Sequence, residues 1–479
     1  MTSGRVERVV NAYDVRGRVP DELDAEVCAA LGSAFAQVVL LPEGAAGAVV
    51  GHDMRESSPA LRDAVIEGIR GQGLDVTSIG LCSTDELYYA TGVLAVPGVM
   101  VTASHNPGHY NGLKMCRARA LPVGADSGLP QIRDLAQWLL DRGDLHPGPG
   151  APVRRGHVHE VDLLADYARH LHSLVDLSAS RELSVVVDAG NGMAGLTVPA
   201  VFEQHGLPVR VIPLYFELDG SFPHHEANPL DTATLTDLRR AVLEHGADLG
   251  LAFDGDADRC FVVDEVGRPV PASAVVALLA QRLIAAEQAS GVPPEQVHVV
   301  HTTLCSRVVL ETVTARGARP VRSPVGHTFV KAQMAQHAAV FGGEHSGHYY
   351  FRDFFGADSG LLGAMHVLAI LGEQPEPVSR LLAPFQTYAT SGEVNLEVTD
   401  RATALRQVCR WGRQQEGVQV EEVDGVVLTH PGPPLWWASV RGSVTEALLR
   451  LNVEAADEHT VHRVQQSLTR VATVGTVSP

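Results

Sequence analysis

The sequence predicts an α/β protein of four domains, three alike in plan and a smaller α+β domain at the C-terminal end. Three observations carry that expectation. The chain has 479 residues, more than one ordinary domain and enough for three or four. Apolar strand-like runs alternate with helical stretches over most of its length, the rhythm of α/β folds. Two Pro-rich joints interrupt that rhythm, and strand-like segments dominate after the second.

The elements follow in order. GAVVGHD (47–53) reads as a strand running into a loop, and ALRDAVIEGIRGQG (60–73) as an amphipathic helix closed by glycine. LDVTSIGLC (74–82) starts the next strand. GDLHPGPGAPVRRG (143–156) has the composition of a linker. Beyond it DLLADYARHLHSLVD (162–176) is a helix, and LSVVVDAGNGMAG (183–195) is a strand entering a glycine-rich loop. A third repetition opens after FVVDEVGRPV (261–270), with ASAVVALLAQRLIAAEQ (272–288) as its helix and QVHVVHTT (296–303) as its strand. EQPEPVSRLLAPFQ (373–386) marks the last joint. After it SGEVNLEVTD, VQVEEVDGVVLTH and LWWASVRGS read as strands, with helices between them and at the end. The domains expected are 1–150, 151–266, 267–380 and 381–479.

Composition narrows the function. A net charge of −19 argues against a nucleic-acid-binding surface. It leaves room for small anionic substrates, because a local arginine cluster can hold a phosphate on an acidic protein. No apolar signal region precedes the charges of MTSGRVERVV, and the most apolar run, AFAQVVLLPEGAAGAVV, is broken at Pro42-Glu43-Gly44. No membrane span is expected. The six cysteines (Cys28, Cys82, Cys116, Cys260, Cys305 and Cys409) lack C-x-x-C spacing. They read as reduced thiols of a cytoplasmic protein, with no zinc site. Lys114 and Lys331 are the only lysines in an arginine-rich chain. Such a bias is most simply genomic, but it makes both lysines candidates for positions where arginine will not do.

The stretch LGLAFDGDADRCFVVDE (249–265) carries the clearest chemistry. A strand delivers Asp254, Asp256 and Asp258 on a tight loop, and a second strand follows. Carboxylates at i, i+2 and i+4 repel unless a hard cation neutralises them, and alternation points them the same way. Glu265 falls where an EF-hand places its last ligand, but Arg259 stands where that loop needs glycine and the flanks are strand-like. A divalent metal, Mg²⁺ first, is the reading; a solvated acidic turn is the plain alternative.

Ser104 lies in VTASHNP, which lacks the glycines of a hydrolase G-x-S-x-G elbow. A hydroxyl at a strand end facing a metal loop suits phosphoryl transfer, although a lone loop serine is most often a cap or turn residue. His105 stands beside it, and adjacency in the chain is expected to turn its ring away from the serine. FGGEHSGHYYF (341–351) sets Glu344, Ser346 and His348 at alternating positions of one loop, suited to sugar hydroxyls. VRGSVTEALLR (440–450) places Arg441, Ser443 and Thr445 ahead of a helix, where a phosphate can be held. Ser443 with Glu446 also reads as a plain capping box.

Together these loops resemble the α-D-phosphohexomutase superfamily, most closely its bacterial phosphomannomutase branch. The motifs run in the family's order from end to end: AYDVRG (12–17), GHDMR (51–55), TASHNP (102–107) with YNGLK (110–114), and DAGNGMAG (188–195). DGSFPHHEANP (219–229), DGDADR (254–259), GEHSGHYYF (343–351) and RGSVTEALLR (441–450) complete the series. The resemblance implies four domains around a central cleft, each lending it a loop. It implies a phosphoserine at Ser104 that passes its phosphoryl group to a hexose monophosphate such as mannose or glucose phosphate. The 1,6-bisphosphate so formed turns over and returns its other phosphate; free hexose 1,6-bisphosphate is the expected activator. One Mg²⁺ per chain is expected on Asp254, Asp256, Asp258 and a phosphoserine oxygen of Ser104. Arg16, Arg259 and His105 would flank the serine, with Lys114 in proton transfer. Glu344, Ser346, His348 and His327 would meet the sugar, and Arg441, Ser443 and Thr445 the distal phosphate.

Departures from the family pattern are Val444 for asparagine and Ala447 for proline in the phosphate loop, Ala257 for glycine, His224 for asparagine and Leu304 for lysine. Losing one amide donor at Val444 costs roughly 0.5–1.5 kcal/mol of phosphate binding. A dual mannose/glucose mutase and a non-catalytic sugar-phosphate-binding protein are the other readings. A monomer or weak homodimer is expected.

Overall fold

A computed structural model describes residues 4–145, 155–203, 206–442 and 448–473. Six β-rich runs assemble the first sheet in the order Val15–Arg18, Tyr110–Cys116, Gly98–Val101, Gly47–His52, Asp75–Leu81 and Val158–Glu160. The first two pairings are antiparallel and the rest parallel. The strands Gly47–His52 and Gly98–Val101 are buried along their whole length, as parallel strands covered on both faces must be. The expected division at 150/151 precedes the edge strand Val158–Glu160, which pairs with Asp75–Leu81 in the first sheet.

The second sheet orders Cys260–Asp264, Leu249–Phe253, Leu183–Asp188 and Val209–Leu214. The third orders Arg319–Ser323, His298–Thr302, Phe341–Gly343, Tyr349–Phe351 and Ala357–Asp358. Both are mixed. Long apolar helices cover them; Ala272–Ala289 and Gly360–Gly372 are buried over most of their residues, so neither needs a polar face. The last sheet is fully antiparallel: Ala389–Glu397, Leu448–Ala455, Trp436–Gly442, Val426–His430 and Gln419–Glu421. Its alternation is strict. Leu449, Leu451 and Val453 bury one face with Trp436, Ala438 and Val440 under the helices Arg401–Gln414 and Glu458–Thr473. Arg441, Arg450 and Asn452 therefore occupy the other face.

One buried apolar cluster runs through the first three domains, from Val49 and Tyr88 through Tyr167 and Val187 to Phe354 and Leu368. The last domain has a core of its own. It meets the third through polar contacts: Arg322 to Glu421 at 2.6 Å, the Arg307 N–H to Glu454 at 2.9 Å, and the Val325 N–H to Asp424 at 3.2 Å. No described helix is long and apolar enough to cross a membrane. All six cysteines are unpaired and buried.

The helix Thr84–Leu94 joins the first three domains. Asp85 accepts hydrogen bonds from Tyr167 and Ser359, each at 2.6 Å. Its neighbour Glu86 is 2% exposed, and among the described residues its Oε2 has no hydrogen-bond partner. Burial, reinforced by Asp85 and Asp162, pushes Glu86 up to about 8 from an ordinary 4.5. A carboxyl whose pKa is raised on folding binds its proton more tightly in the native state. Stability is therefore lost as pH rises from 4.5 towards 8. Glu86→Gln is expected to remove that loss, on the order of a few kcal/mol above the window. Melting temperatures at pH 5 and pH 9 check it: the variant gains at the higher pH and little at the lower.

Candidate functional site

The strand Gly98–Val101 ends in a turn that puts Ser104 in the left-handed region, φ 49°. Such a conformation costs a non-glycine residue about 1–3 kcal/mol and persists only where the surroundings enforce it. Arg55 enforces it here. This guanidinium is buried, paired to Asp53 at 3.1 Å, and donates to the carbonyls of Ser104, Asn106, Pro107 and Tyr110 at 2.7–3.1 Å. The Ser104 N–H donates to Thr102 Oγ1 at 2.9 Å. From the second domain, Gly255 approaches so closely that a Cβ there would lie 2.5 Å from the Ser104 carbonyl oxygen. Arg55→Met takes one donor from each of four carbonyls and leaves the buried Asp53 carboxylate without its counter-ion, an expected loss of about 3–5 kcal/mol. Denaturant unfolding measures it.

The paired strands Leu249–Phe253 and Cys260–Asp264 hold residues 254–259 as a tight loop. Asp254, Asp256 and Asp258 are each 0–1% exposed, and one oxygen from each lies within 4.8 Å of the others. The Ser104 hydroxyl donates to Asp254 Oδ2 at 2.8 Å. Asp256 accepts from Thr84 Oγ1 at 2.6 Å and from Lys114 Nζ at 2.7 Å; Lys114 also contacts Asp258. Arg259 Nε stands 3.3 Å from Asp254. Burial first, then the charges of Asp256 and Asp258, push Asp254 up. Burial opposes ionisation of Asp258 too, but Lys114 and His348 hold it well below the usual range. Asp256 Oδ1 and Asp258 Oδ1 have no hydrogen-bond partner among the described residues. A divalent cation fits this donor set: hard oxygens, excess negative charge and unsatisfied lone pairs.

Cations surround the serine. Arg16 sits on the edge strand opposite Gly112, bonded to Asp14 at 2.9 Å and to the Thr102 carbonyl at 3.1 Å. Lys114 is raised: burial opposes its charge, but Asp256 and Asp258 outweigh burial. His105 corrects an expectation. Its Nδ1 lies 3.3 Å from Ser104 Oγ, because the left-handed turn at the serine swings the two side chains together. Burial, then Arg259, Arg16 and Lys114, push its imidazole well below the ordinary value. It is neutral.

The loop 344–348 joins the strands Phe341–Gly343 and Tyr349–Phe351. His348 Nδ1 is 2.9 Å from Ser346 Oγ, and Nε2 is 3.5 Å from Asp258 and 3.8 Å from Asp358. Burial and Arg259 lower its pKa, yet Asp258 and Glu344 hold it above the ordinary value. Glu344 is 2% exposed and already accepts from the Tyr350 hydroxyl and the Gly326 N–H. His327 opens the helix His327–His337 with its ring edge on Tyr13, 5.6 Å between centroids. Neither of its ring nitrogens has a partner among the described residues. Arg441 lies 3.7 Å from Glu393; Ser443 and Thr445 fall outside the described residues.

Sequence reasoning missed Arg55, Thr84 and Asp358. Arg55 stood in a quoted motif with no role attached, and nothing local marked the other two. Lys331 was marked only by its rarity. It is 4% exposed, 2.8 Å from Asp358 and 3.5 Å from the centre of the Tyr88 ring.

Comparison with known proteins bears on this geometry. Models described as phosphoglucomutase/phosphomannomutase alpha/beta/alpha domains I, II and III match residues 7–137, 165–267 and 271–388. The C-terminal domain model of the same family matches 393–471. The chain is 40% identical over 446 residues to a Xanthomonas campestris protein named phosphohexose mutases, covering 92% of this chain and 94% of that one. It is 36% identical over 450 residues to an Escherichia coli phosphomannomutase, covering 93% and 94%. A solved phosphoglucomutase/phosphomannomutase family protein from Burkholderia thailandensis superposes with a TM-score of 0.85 at 28% identity, over 98% of this chain and 97% of that one.

Proposed function

Because the chain belongs to the phosphoglucomutase/phosphomannomutase family, we propose that it interconverts α-D-mannose 1-phosphate and D-mannose 6-phosphate through a phosphoserine at Ser104. One observation carries this reading: the Ser104 hydroxyl lies 2.8 Å from Asp254 in a buried nest of three carboxylates, ringed by Arg16, Lys114 and Arg259. Ser104 gives its phosphoryl group to the free hydroxyl of a hexose monophosphate. The bisphosphate reorients, and the phosphate originally on the substrate returns to the serine.

Asp254, Asp256 and Asp258, with an oxygen of phosphorylated Ser104, are the residues that would hold Mg²⁺, whose charge then offsets that of the transferring phosphoryl group. Arg16 and Arg259 orient that group on the serine. Lys114, kept protonated by Asp256 and Asp258, serves as a proton donor at the reacting oxygens. His105, with Nδ1 3.3 Å from Ser104 Oγ, serves as the proton acceptor within reach. His348, whose pKa Asp258 and Glu344 raise, donates to a sugar hydroxyl. Closing the last domain over the cleft excludes the water that would hydrolyse phosphoserine.

A broader hexose range is the second reading, favoured by the name phosphohexose mutases carried by the 40% identical relative. Mannose and glucose differ only in the direction of one hydroxyl, so a single hydrogen bond decides between them. A coupled assay across mannose, glucose and glucosamine phosphates, with Mg²⁺ and catalytic hexose 1,6-bisphosphate, tests both. Mannose phosphates are expected to give the highest kcat/KM; no turnover of any hexose phosphate, together with a Ser104 peptide that never carries phosphate, sinks the mutase reading.

A further inference from the structure

The turns in the motifs DAGNGMAG (188–195) and DGSFPHHEANP (219–229) pack onto each other in the second domain. The Asp219 N–H donates to the Asn191 carbonyl at 3.0 Å, and Asn191 Nδ2 donates to the Glu217 carbonyl at 2.8 Å. The first turn also holds the loop 254–259, through the Met193 N–H donating to the Gly255 carbonyl at 2.9 Å. The second turn carries Phe222, which is buried and left-handed at φ 53°. A ring-bearing residue keeps that conformation only where its surroundings enforce it. Here the Phe222 N–H donates to the Asp219 carbonyl at 3.0 Å, and the Ser221 N–H to Asp219 Oδ1 at 2.9 Å.

Over the Phe222 ring sits Arg55, the guanidinium that clamps the Ser104 turn, 5.0 Å from its central carbon to the ring centroid. The side chain of Arg55 makes five hydrogen bonds, to Asp53 and four carbonyls, all within the first domain. A guanidinium has five N–H donors. What Phe222 adds is therefore the attraction of a cation to a π face, offered from the domain that carries Asp254, Asp256 and Asp258. The backbones close in around this contact. A Cβ at Gly220 would lie 2.5 Å from Arg55 Cα, and one at Gly108 would lie 2.5 Å from the Gly220 carbonyl oxygen.

We propose that Phe222 is a positioning residue for phosphoryl transfer: its ring anchors the Arg55 guanidinium to the second domain and so holds the Ser104 turn in register with Asp254, Asp256 and Asp258. That this register serves phosphoryl transfer rests on the mutase reading. The serine cannot hold the register by itself. The bond its hydroxyl donates to Asp254 is given up once that oxygen carries a phosphoryl group. Arg55 binds the Ser104 carbonyl instead, so an anchor on Arg55 acts on the backbone and is the same with and without the phosphoryl group. Misplacing a reacting group by about 1 Å costs on the order of 100-fold in rate.

Phe222→Leu, which removes the π face, is compared with Phe222→Tyr, which keeps it. In the coupled assay with mannose phosphates and Mg²⁺, Phe222→Leu is expected to lower kcat about tenfold or more while KM stays within about twofold. Phe222→Tyr should stay within about threefold of wild type in both. Hydrogen exchange at the amides of residues 103–106 should speed up at least about tenfold in Phe222→Leu, with the strands Gly47–His52 and Gly98–Val101 unchanged. A fall in kcat below about threefold, a KM that rises in step, equal losses in the two variants, or unmoved exchange at the turn overturns the proposal. Should Phe222→Leu fail to melt cooperatively, Phe222→Met, nearer in volume, is judged by the same criteria. Wild-type turnover is scored on its own. A wild type that turns over no hexose phosphate, with faster exchange at the turn in Phe222→Leu, defeats the mutase reading and leaves the anchor on Arg55. Normal wild-type turnover with unmoved exchange defeats the anchor and leaves the mutase reading.

Discussion

Ser104→Ala is expected to lower hexose-phosphate interconversion by roughly 10⁴-fold or more, with little change in melting temperature. In the proposed mechanism the hydroxyl both accepts and gives up the phosphoryl group, while His105, 3.3 Å away, handles only a proton. Structurally the loss is small. The turn at Ser104 is held through its backbone by Arg55 and Thr102, so removing Oγ forfeits one hydrogen bond to Asp254. That bond is worth about 1 kcal/mol, and Asp254, already raised by burial and its neighbours, can keep a proton instead. A rate within tenfold of wild type, measured with the coupled enzymes in excess, would refute the phosphoserine mechanism.

Asp256→Asn carries the second large effect. Asp256 is 0% exposed and takes hydrogen bonds from Thr84 and Lys114. The amide keeps the volume and removes the charge. Two consequences follow: the cation site loses one of three anionic oxygens, and Lys114 loses one of the two carboxylates that keep it protonated. We expect kcat to fall about 10³-fold. The Mg²⁺ concentration for half-maximal rate should rise at least about 100-fold. In the wild-type protein, chelation should abolish turnover and added Mg²⁺ restore it. Mg²⁺ should also raise the melting temperature, because a ligand that binds only the native state stabilises it by mass action; the variant should lose most of that shift. A melting curve indifferent to Mg²⁺ in both proteins would remove the cation from Asp254, Asp256 and Asp258.

Much of the fold was legible because its signals are local. The helix Ala272–Ala289 and the strands around Leu183–Asp188 and Leu249–Phe253 lie where apolar runs placed them. The alternation in Leu448–Ala455 separates a core face from a polar face residue by residue. The edge strand Val158–Glu160 was not legible. Three exposed residues carry no hydrophobic pattern, and only pairing with Asp75–Leu81 makes them a strand.

The site divides in the same way. Asp254, Asp256 and Asp258 converge because one short loop between two paired strands leaves them little choice, and spacing alone says so. Ser104 at a strand end and the glycine-rich turns are equally local. What the sequence by itself determined, then, were four domains, a serine, a carboxylate nest and the loops that belong with them. Only the tertiary structure decided that Ser104 meets Asp254 across 150 residues, that Thr84 and Lys114 close on Asp256, and that Arg55 clamps the serine turn. It also set His105 beside the hydroxyl and Arg450 beside Arg441. These contacts join separate strands and separate domains whose relative placement comes from a shared buried core. Packing of that kind leaves no period in the chain to read.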